Sequence, residues 1–213
     1  MTAETAKPGF VQPAHFSFDA ESMVEVDRHI AKYPAGKQAS AVLPLLDIAQ
    51  RQMSRETGSA WVPIAAMDEV GRLLEMPPIR VYEVVSFYTM FNTAPVGKFH
   101  LQICTTTPCW LRGSDDIVHA CREATGIKGW KQTSADGMFT MSEVECVGAC
   151  VNAPVIQVND DLYEDLDAER TKALLEALRR GDIPKPGPTI ARQTSAPEGG
   201  ANTLTTLNFH KAE

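Results

Sequence analysis

The chain has 213 residues, 20 Lys and Arg against 27 Asp and Glu for a net charge of −7, 44% apolar and 22% charged residues, and five cysteines. This is an ordinary globular composition, long enough for one medium domain or two small ones without disulfide staples, and it excludes disorder, collagen and a disulfide-dense secreted scaffold. The acidic balance and the absence of a basic stripe argue against nucleic acid or an anionic lipid surface as partner, because both reward clustered Lys and Arg.

Ahead of Thr93-Ala-Pro-Val-Gly97 the periodicity is helical. Met23, Val26 and Ile30, with Asp19 and Glu21 at the front, predict a first helix over 19–33 that closes at Tyr33-Pro34. A second is predicted over 39–55, with Pro44 in its first turn, where proline is tolerated, and Leu43, Leu46, Ile48, Ala49 and Met53 on the buried side. Pro63 reads as the first residue of a third helix ending near Glu75, with Ile64, Met67, Val70, Leu73 and Leu74 facing inward. A fourth starts at Pro78, carries Val81, Val84, Val85 and Tyr88, and runs to about Phe91.

From Gly97 the signals alternate between strand and helix. Lys98-Phe-His-Leu-Gln-Ile103 alternates in period two and leads into Cys104. A helix capped by Ser114 or Asp115 follows, with Ile117, Val118 and Cys121 on its apolar side. Strands are expected at 139–144, 154–158 and, after the turn Asn159-Asp160-Asp161, at Leu162-Tyr163. A last helix from Asp167 to Arg180 buries Leu174, Leu175 and Leu178 and stops at Gly181. The order β-α-β-β-β-α implies a small sheet flanked by helices, in the manner of the thioredoxin-like folds. After Ile183 the chain becomes a proline-stiffened polar tail that cannot pack a core of its own and is expected to lie along another surface. The fold class is α+β: an N-terminal arm at 1–16, a helical bundle at 17–94, a thioredoxin-like domain at 95–185 and a polar tail at 186–213.

The first ten residues have neither the apolar core of a secretory signal nor the character of a transit peptide, and no apolar run approaches the ~20 residues of a spanning helix. A reducing compartment and no direct membrane insertion are expected. There, grouped cysteines mean a metal or redox site more often than structural disulfides. Four of the five form two pairs, Cys104-Thr-Thr-Thr-Pro-Cys109 and Cys146-Val-Gly-Ala-Cys150, each after a predicted strand, so that the two loops can meet at one end of the sheet. The spacers are wider than the usual zinc knuckle, although zinc tolerates up to four residues. They suit a 2Fe-2S cluster, in which each of two irons takes two thiolates; the plant-type ferredoxin pattern is excluded because Cys109 is followed by Trp110-Leu111-Arg112. Thr105, Thr106 and Thr107 can donate to cluster sulfur, Gly148 lets the chain pass close without a Cβ, Pro108 and Pro154 hold the loops, and Arg112 reads as a surface residue.

Cys121 sits on a helix face and reads as a core thiol. His100 and His119 have no partner at ligand spacing, and Asp160, Asp161 and Glu164 read as a solvated turn. No catalytic triad, phosphate-binding glycine loop or pair of catalytic carboxylates is present. Zinc remains the rival metal.

The segments Ser86-Phe-Tyr-Thr-Met-Phe91, Cys104-Thr-Thr-Thr-Pro-Cys-Trp-Leu-Arg-Gly113 and Val144-Glu-Cys-Val-Gly-Ala-Cys-Val-Asn-Ala-Pro154 closely resemble the 2Fe-2S subunits of proton-pumping NADH:quinone oxidoreductase, respiratory complex I, called NuoE in bacteria. The similarity spans about residues 17–185. Carried over position by position, it implies cluster ligands at Cys104, Cys109, Cys146 and Cys150, and none at Cys121. It implies an oxidoreductase subunit with no complete active site of its own, exchanging single electrons with the FMN of a flavoprotein subunit that also binds NADH. It further implies docking of the helical domain on that flavoprotein, contact of the tail with the large iron–sulfur subunit, and a cytoplasmic position peripheral to the inner membrane, or the mitochondrial matrix in a eukaryote. The alternatives are the equivalent diaphorase subunit of an NAD-dependent hydrogenase or formate dehydrogenase and, from another class, a zinc-stabilised interaction module.

Overall fold

Two compact units divide between Lys98 and Phe99 in the computed structural model, which describes residues 10–200 and 202–204. Residues 1–9 of the expected N-terminal arm, and residues 201 and 205–213 of the tail, lie outside the described residues.

The first unit is helical: α1 (Ala20–Ile30), a 3-10 turn (Gln38–Ala41) running into α2 (Val42–Thr57), α3 (Ile64–Leu74) and α4 (Pro78–Phe87). Asp19 caps α1 by accepting the Ser22 N–H at 2.7 Å, which satisfies one of the orphan amides of the first turn. Buried Gln52 ties that cap to α2, accepting from Asp19 N and donating to Ser17 O, both at 3.0 Å. The inward stripes of the four helices, including Val26, Leu45, Leu46, Ala49, Val70, Leu74, Val81 and Val85, form one core. Pro63 caps α3 from outside instead of opening it, and Ile64 is half exposed. Helix α4 stops four residues earlier than its apolar pattern predicts. The chain leaves the helix there so that Phe91 can enter the core, and Asn92 is fixed by hydrogen bonds: its N–H donates to Gln50 Oε1 (2.9 Å), its side-chain amide donates to Ala60 O (2.9 Å), and its carbonyl accepts from Val62 N (2.8 Å).

The second unit contains β1 (Phe99–Cys104), a short helix α5 (Thr107–Leu111), α6 (Ser114–Thr125), β2 (Gln132–Thr133), β3 (Phe139–Val144), β4 (Ile156–Val158), β5 (Asp161–Glu164), α7 (Ala168–Arg180) and β6 (Gly187–Pro188). The sheet order is β2-β3-β1-β4-β5-β6. Strand β1 is central, parallel to β3 with Phe99 opposite Phe139 and Cys104 opposite Val144, and antiparallel to β4. Alternate residues Phe99, Leu101, Ile103, Phe139, Met141 and Ile156 pack with Ile117, Val118 and Cys121 of α6 and with Leu174, Leu175 and Leu178 of α7. The apolar side chains alternate along the strands as the sequence pattern requires, but burial does not, since His100 and Thr140 between them are buried too. Three elements go beyond that pattern: α5, and the two-residue strands β2 and β6.

The tail expectation is corrected in part. Residues 187–196 fold back on their own unit: β6 pairs in parallel with β5, and Thr189 donates to Glu164 O through both its N–H (2.9 Å) and its hydroxyl (2.8 Å). A polar segment does not need an apolar core to be held if an unpaired strand edge offers it hydrogen-bonding partners. Among the described residues no helix is long and apolar enough to cross a membrane.

Candidate metal centre

The parallel pairing of β1 with β3 builds the site, because parallel neighbours finish at the same end of the sheet. Cys104 is the last residue of β1, directly opposite Val144, the last residue of β3, and Cys146 follows two residues later. Cys109 returns toward Cys104 on α5, where Pro108 occupies the first turn at no hydrogen-bonding cost. Cys150 opens a 3-10 turn, Cys150–Asn152, immediately after the second loop.

The two pairs sit in opposite environments. Cys104 and Cys109 are buried in a small apolar cluster with Ala153 and Val155, whereas Cys146 and Cys150 are exposed. The Cys146 and Cys150 sulfurs lie 3.1 Å apart, and the Gly148 N–H points at the Cys146 sulfur from 3.4 Å. Burial pushes the Cys109 thiol up to about 12, reinforced by its hydrogen bond with Cys104 and by charge at Cys104 and Cys150. The hydrogen bond shared with Cys150 holds the Cys146 thiol below its ordinary value, helped by the Gly148 N–H and by Thr106. The same hydrogen bond raises the Cys150 thiol, with burial and charge at Cys146 and Cys104 adding to it, so the two pairs are linked through Cys150.

The surrounding residues divide in a way that the sequence does not reveal. Thr106 Oγ1 lies 3.2 Å from the Cys104 sulfur, but the Thr105 hydroxyl donates instead to Glu143 at 2.6 Å, and Thr107 is exposed on α5. Gly148 has φ +83°, and among the described residues none beyond its chain neighbours comes within 4 Å of where its Cβ would sit; the glycine is required by the left-handed backbone and not by crowding from these residues. Arg112 is exposed, as is His119, while His100 shares a hydrogen bond with Ser142 at 2.8 Å. Cys121 is fully buried on α6, and burial alone raises it to about 12. Glu164 departs from the solvated-turn expectation by accepting a 2.5 Å hydrogen bond from the side chain of buried Asn152. Asn152, Glu164, Asp165 and Arg192 around the Cys150 turn have no spacing signal, since the last two are 27 positions apart.

Among the described residues no set of three or more His, Cys, Asp or Glu side chains is arranged to hold a metal ion. The thiols stand instead as two pairs. A model of the family described as thioredoxin-like [2Fe-2S] ferredoxin matches residues 26–179, more than two thirds of the chain. The chain belongs to that family.

Among curated relatives of this thioredoxin-like [2Fe-2S] protein, the E subunit of the NADH-quinone oxidoreductase of Rickettsia bellii is 53% identical over 165 residues, covering 78% of this chain and 95% of the relative. The mitochondrial NADH dehydrogenase [ubiquinone] flavoprotein 2 of Dictyostelium discoideum is 44% identical over 189 residues, covering 89% of this chain and 74% of the relative. Among solved structures, an NAD+-reducing [NiFe]-hydrogenase in the H2-reduced state superposes with a TM-score of 0.54 at 25% identity, over 66% of this chain and 23% of that one. The family's cofactor is a 2Fe-2S cluster, and a set of four thiols in two pairs, with an amide and a hydroxyl directed at sulfur, suits its donor chemistry.

Proposed function

We propose that this chain is the electron-carrying, NuoE-type component of an NADH:quinone oxidoreductase, with Cys104, Cys109, Cys146 and Cys150 holding its 2Fe-2S cluster. The observation that carries the assignment is the position of both thiol pairs at one end of the sheet through the β1–β3 register, in a chain 53% identical to the Rickettsia bellii protein. A bound 2Fe-2S cluster accepts and returns one electron at a time. The protein supplies the surroundings. Cys104 and Cys109 close the inner side against Ala153 and Val155, excluding water. Thr106 and the Gly148 N–H provide donors that stabilise anionic sulfur and set the reduction potential. Exposed Cys146 and Cys150 leave the outer side open to a partner.

The chain works within a multisubunit complex. Its proposed electron partner is the FMN- and NADH-binding flavoprotein subunit, with the large iron–sulfur subunit beside it, and its place is peripheral to the membrane through that complex. The exposed Ile79, Tyr82, Phe87 and Met90 on and after α4 support docking of the helical unit, since apolar surface of this kind marks interaction sites. The test is metal and sulfide analysis of the purified chain, with EPR after dithionite. Two irons and two sulfides per chain and a signal on reduction are expected; zinc with no signal would overturn the reading. Addition of the flavoprotein subunit and NADH should produce the same EPR signal without dithionite.

A further inference from the structure

The turn that carries Cys150 is packed on its flanks, where Val147 and Ala149 lie against the Cys104–Cys109 cluster and Ala153 belongs to it, but not at its thiols. Cys146 and Cys150 are exposed and Val151 is 70% exposed, so the burial that fixes the first pair of side chains does not extend to the second. The other fixed points of the turn are polar, and two of them come from beyond residue 186. The Val151 carbonyl accepts from Arg192 Nη2 at 3.1 Å. The Asn152 carbonyl accepts from Asp165 N at 2.7 Å. The Asn152 side chain donates to Glu164 and, at 3.0 Å, to the Thr194 carbonyl.

Arg192 is the hub of this network. Its Nε and Nη2 form a two-pronged pair with Asp165 at 2.8 and 2.7 Å, and its Nη1 reaches Ala196 O at 3.3 Å. Both side chains of the ion pair are only 9% exposed. Fork geometry fixes direction as well as distance, so the guanidinium locks Val151 to Asp165, and Asp165 in turn locks Asn152. The segment is anchored by β6 and by Thr189, whose hydroxyl also donates to Asp165 O at 2.8 Å. It lies past residue 179, where the family match ends.

We propose that residues 187–196 are a strap and that Arg192 is a positioning residue for the metal centre: it holds the backbone of the Cys150 turn in place, doing for the exposed thiol pair what burial does for Cys104 and Cys109. The inference rests on the reading of Cys150 as a ligand. Because Asp165 balances the guanidinium charge, the effect acts through geometry. Removing Arg192 leaves a buried carboxylate without its partner, a disruptive change, and lysine cannot reproduce the fork.

The test uses the full chain loaded with its cluster. Iron release to a chelator should be about tenfold faster in Arg192→Ala, the range seen when groups that orient metal ligands are lost, and the EPR line shape of the reduced cluster should change. Arg192→Lys should fall between Arg192→Ala and the parent, and it provides the readout if the alanine variant does not fold. Arg55→Ala breaks an ion pair of the helical unit, Arg55 to Asp19 at 2.9 Å, and should leave release and line shape unchanged. Parental release and line shape in both Arg192 variants would overturn the strap while leaving the ligand assignment standing. Retention of the cluster in Cys150→Ala would instead overturn the ligand assignment and the strap with it.

Discussion

The two thiol-bearing turns leave neighbouring parallel strands at the same end of the sheet, yet their thiols are held by different means. The first returns on a short helix that buries Cys104 and Cys109 in an apolar cluster; the second rests Val147 and Ala149 on that cluster but keeps Cys146 and Cys150 in solvent and adds hydrogen bonds from its backbone to the residues around β5 and to the strap. Burial and polar tethering are two ways to preorganise a ligand, and they fail differently. A buried thiol is held even without metal, but its ionisation is resisted, as the rise of Cys109 to about 12 records. In the exposed pair the shared hydrogen bond lowers Cys146 and raises Cys150, so one thiol ionises ahead of the other, and both depend on their scaffold for position. A site built from one of each is closed toward the protein and open toward a partner.

The largest expected effect comes from removing a ligand on the tethered side. Cys146→Ala should abolish or severely destabilise the cluster, because three thiolates leave one iron open, and the change should hardly touch the fold, since the side chain is exposed. Visible absorption and iron content should fall toward zero while far-ultraviolet circular dichroism stays parental. Intact absorption would remove Cys146 from the ligand set and break the symmetry drawn between the turns.

The sequence exposes the chemistry of both turns and the packing of neither. Spacing and loop composition single out the four thiols and separate them from Cys121, whose neighbours Ile117 and Val118 mark a helix face that is indeed buried. The strands on either side alternate cleanly, so the sheet and its two helices follow from period-two and 3.6-residue patterns. Helix α5 escapes notice because five residues among threonines and a proline are too few for periodicity, although Pro108 in its first turn is a legitimate start signal. The strap escapes for a different reason. A two-residue strand and an ion pair between Asp165 and Arg192 are tertiary facts, and polar composition after Ile183 reads as solvated tail whether or not an edge strand receives it. The end of α4 is hidden by the same logic, since only the three-dimensional core shows that Phe91 must turn inward.

A buried thiol that is not a ligand sharpens the comparison. Cys121→Ser should leave absorption and iron content unchanged and destabilise the chain by about 1–2 kcal/mol at pH 7, the order expected when a small buried side chain is made polar. The deficit should shrink in alkali. The folded thiol is raised to about 12 by burial while the unfolded one titrates near 8.5, so the thiol's contribution is complete below that value and is lost as pH rises toward 12. Serine does not titrate there, so urea midpoints of parent and variant should converge between about pH 8 and pH 10.5. A constant difference across that range would show that the Cys121 thiol is not as sequestered as its packing indicates.

The smallest effect separates backbone from contact in the exposed turn. Gly148 adopts φ +83° with open space around the position of a Cβ, so Gly148→Ala adds strain without a clash against the protein. Left-handed backbone costs an L-residue about 1–2 kcal/mol, and an exposed loop can relax part of that, so a loss near ~1 kcal/mol in the cluster-free chain is expected from urea unfolding. The cluster-bound chain adds a second term. The Gly148 N–H that faces the Cys146 sulfur at 3.4 Å would shift with any relaxation, and a donor to ligand sulfur sets the potential. A changed midpoint potential alongside that small loss would show the turn is tuned by its backbone. An unchanged potential with the same loss would leave Gly148 a matter of folding alone, and the donors that matter would then lie on the buried side, at Thr106.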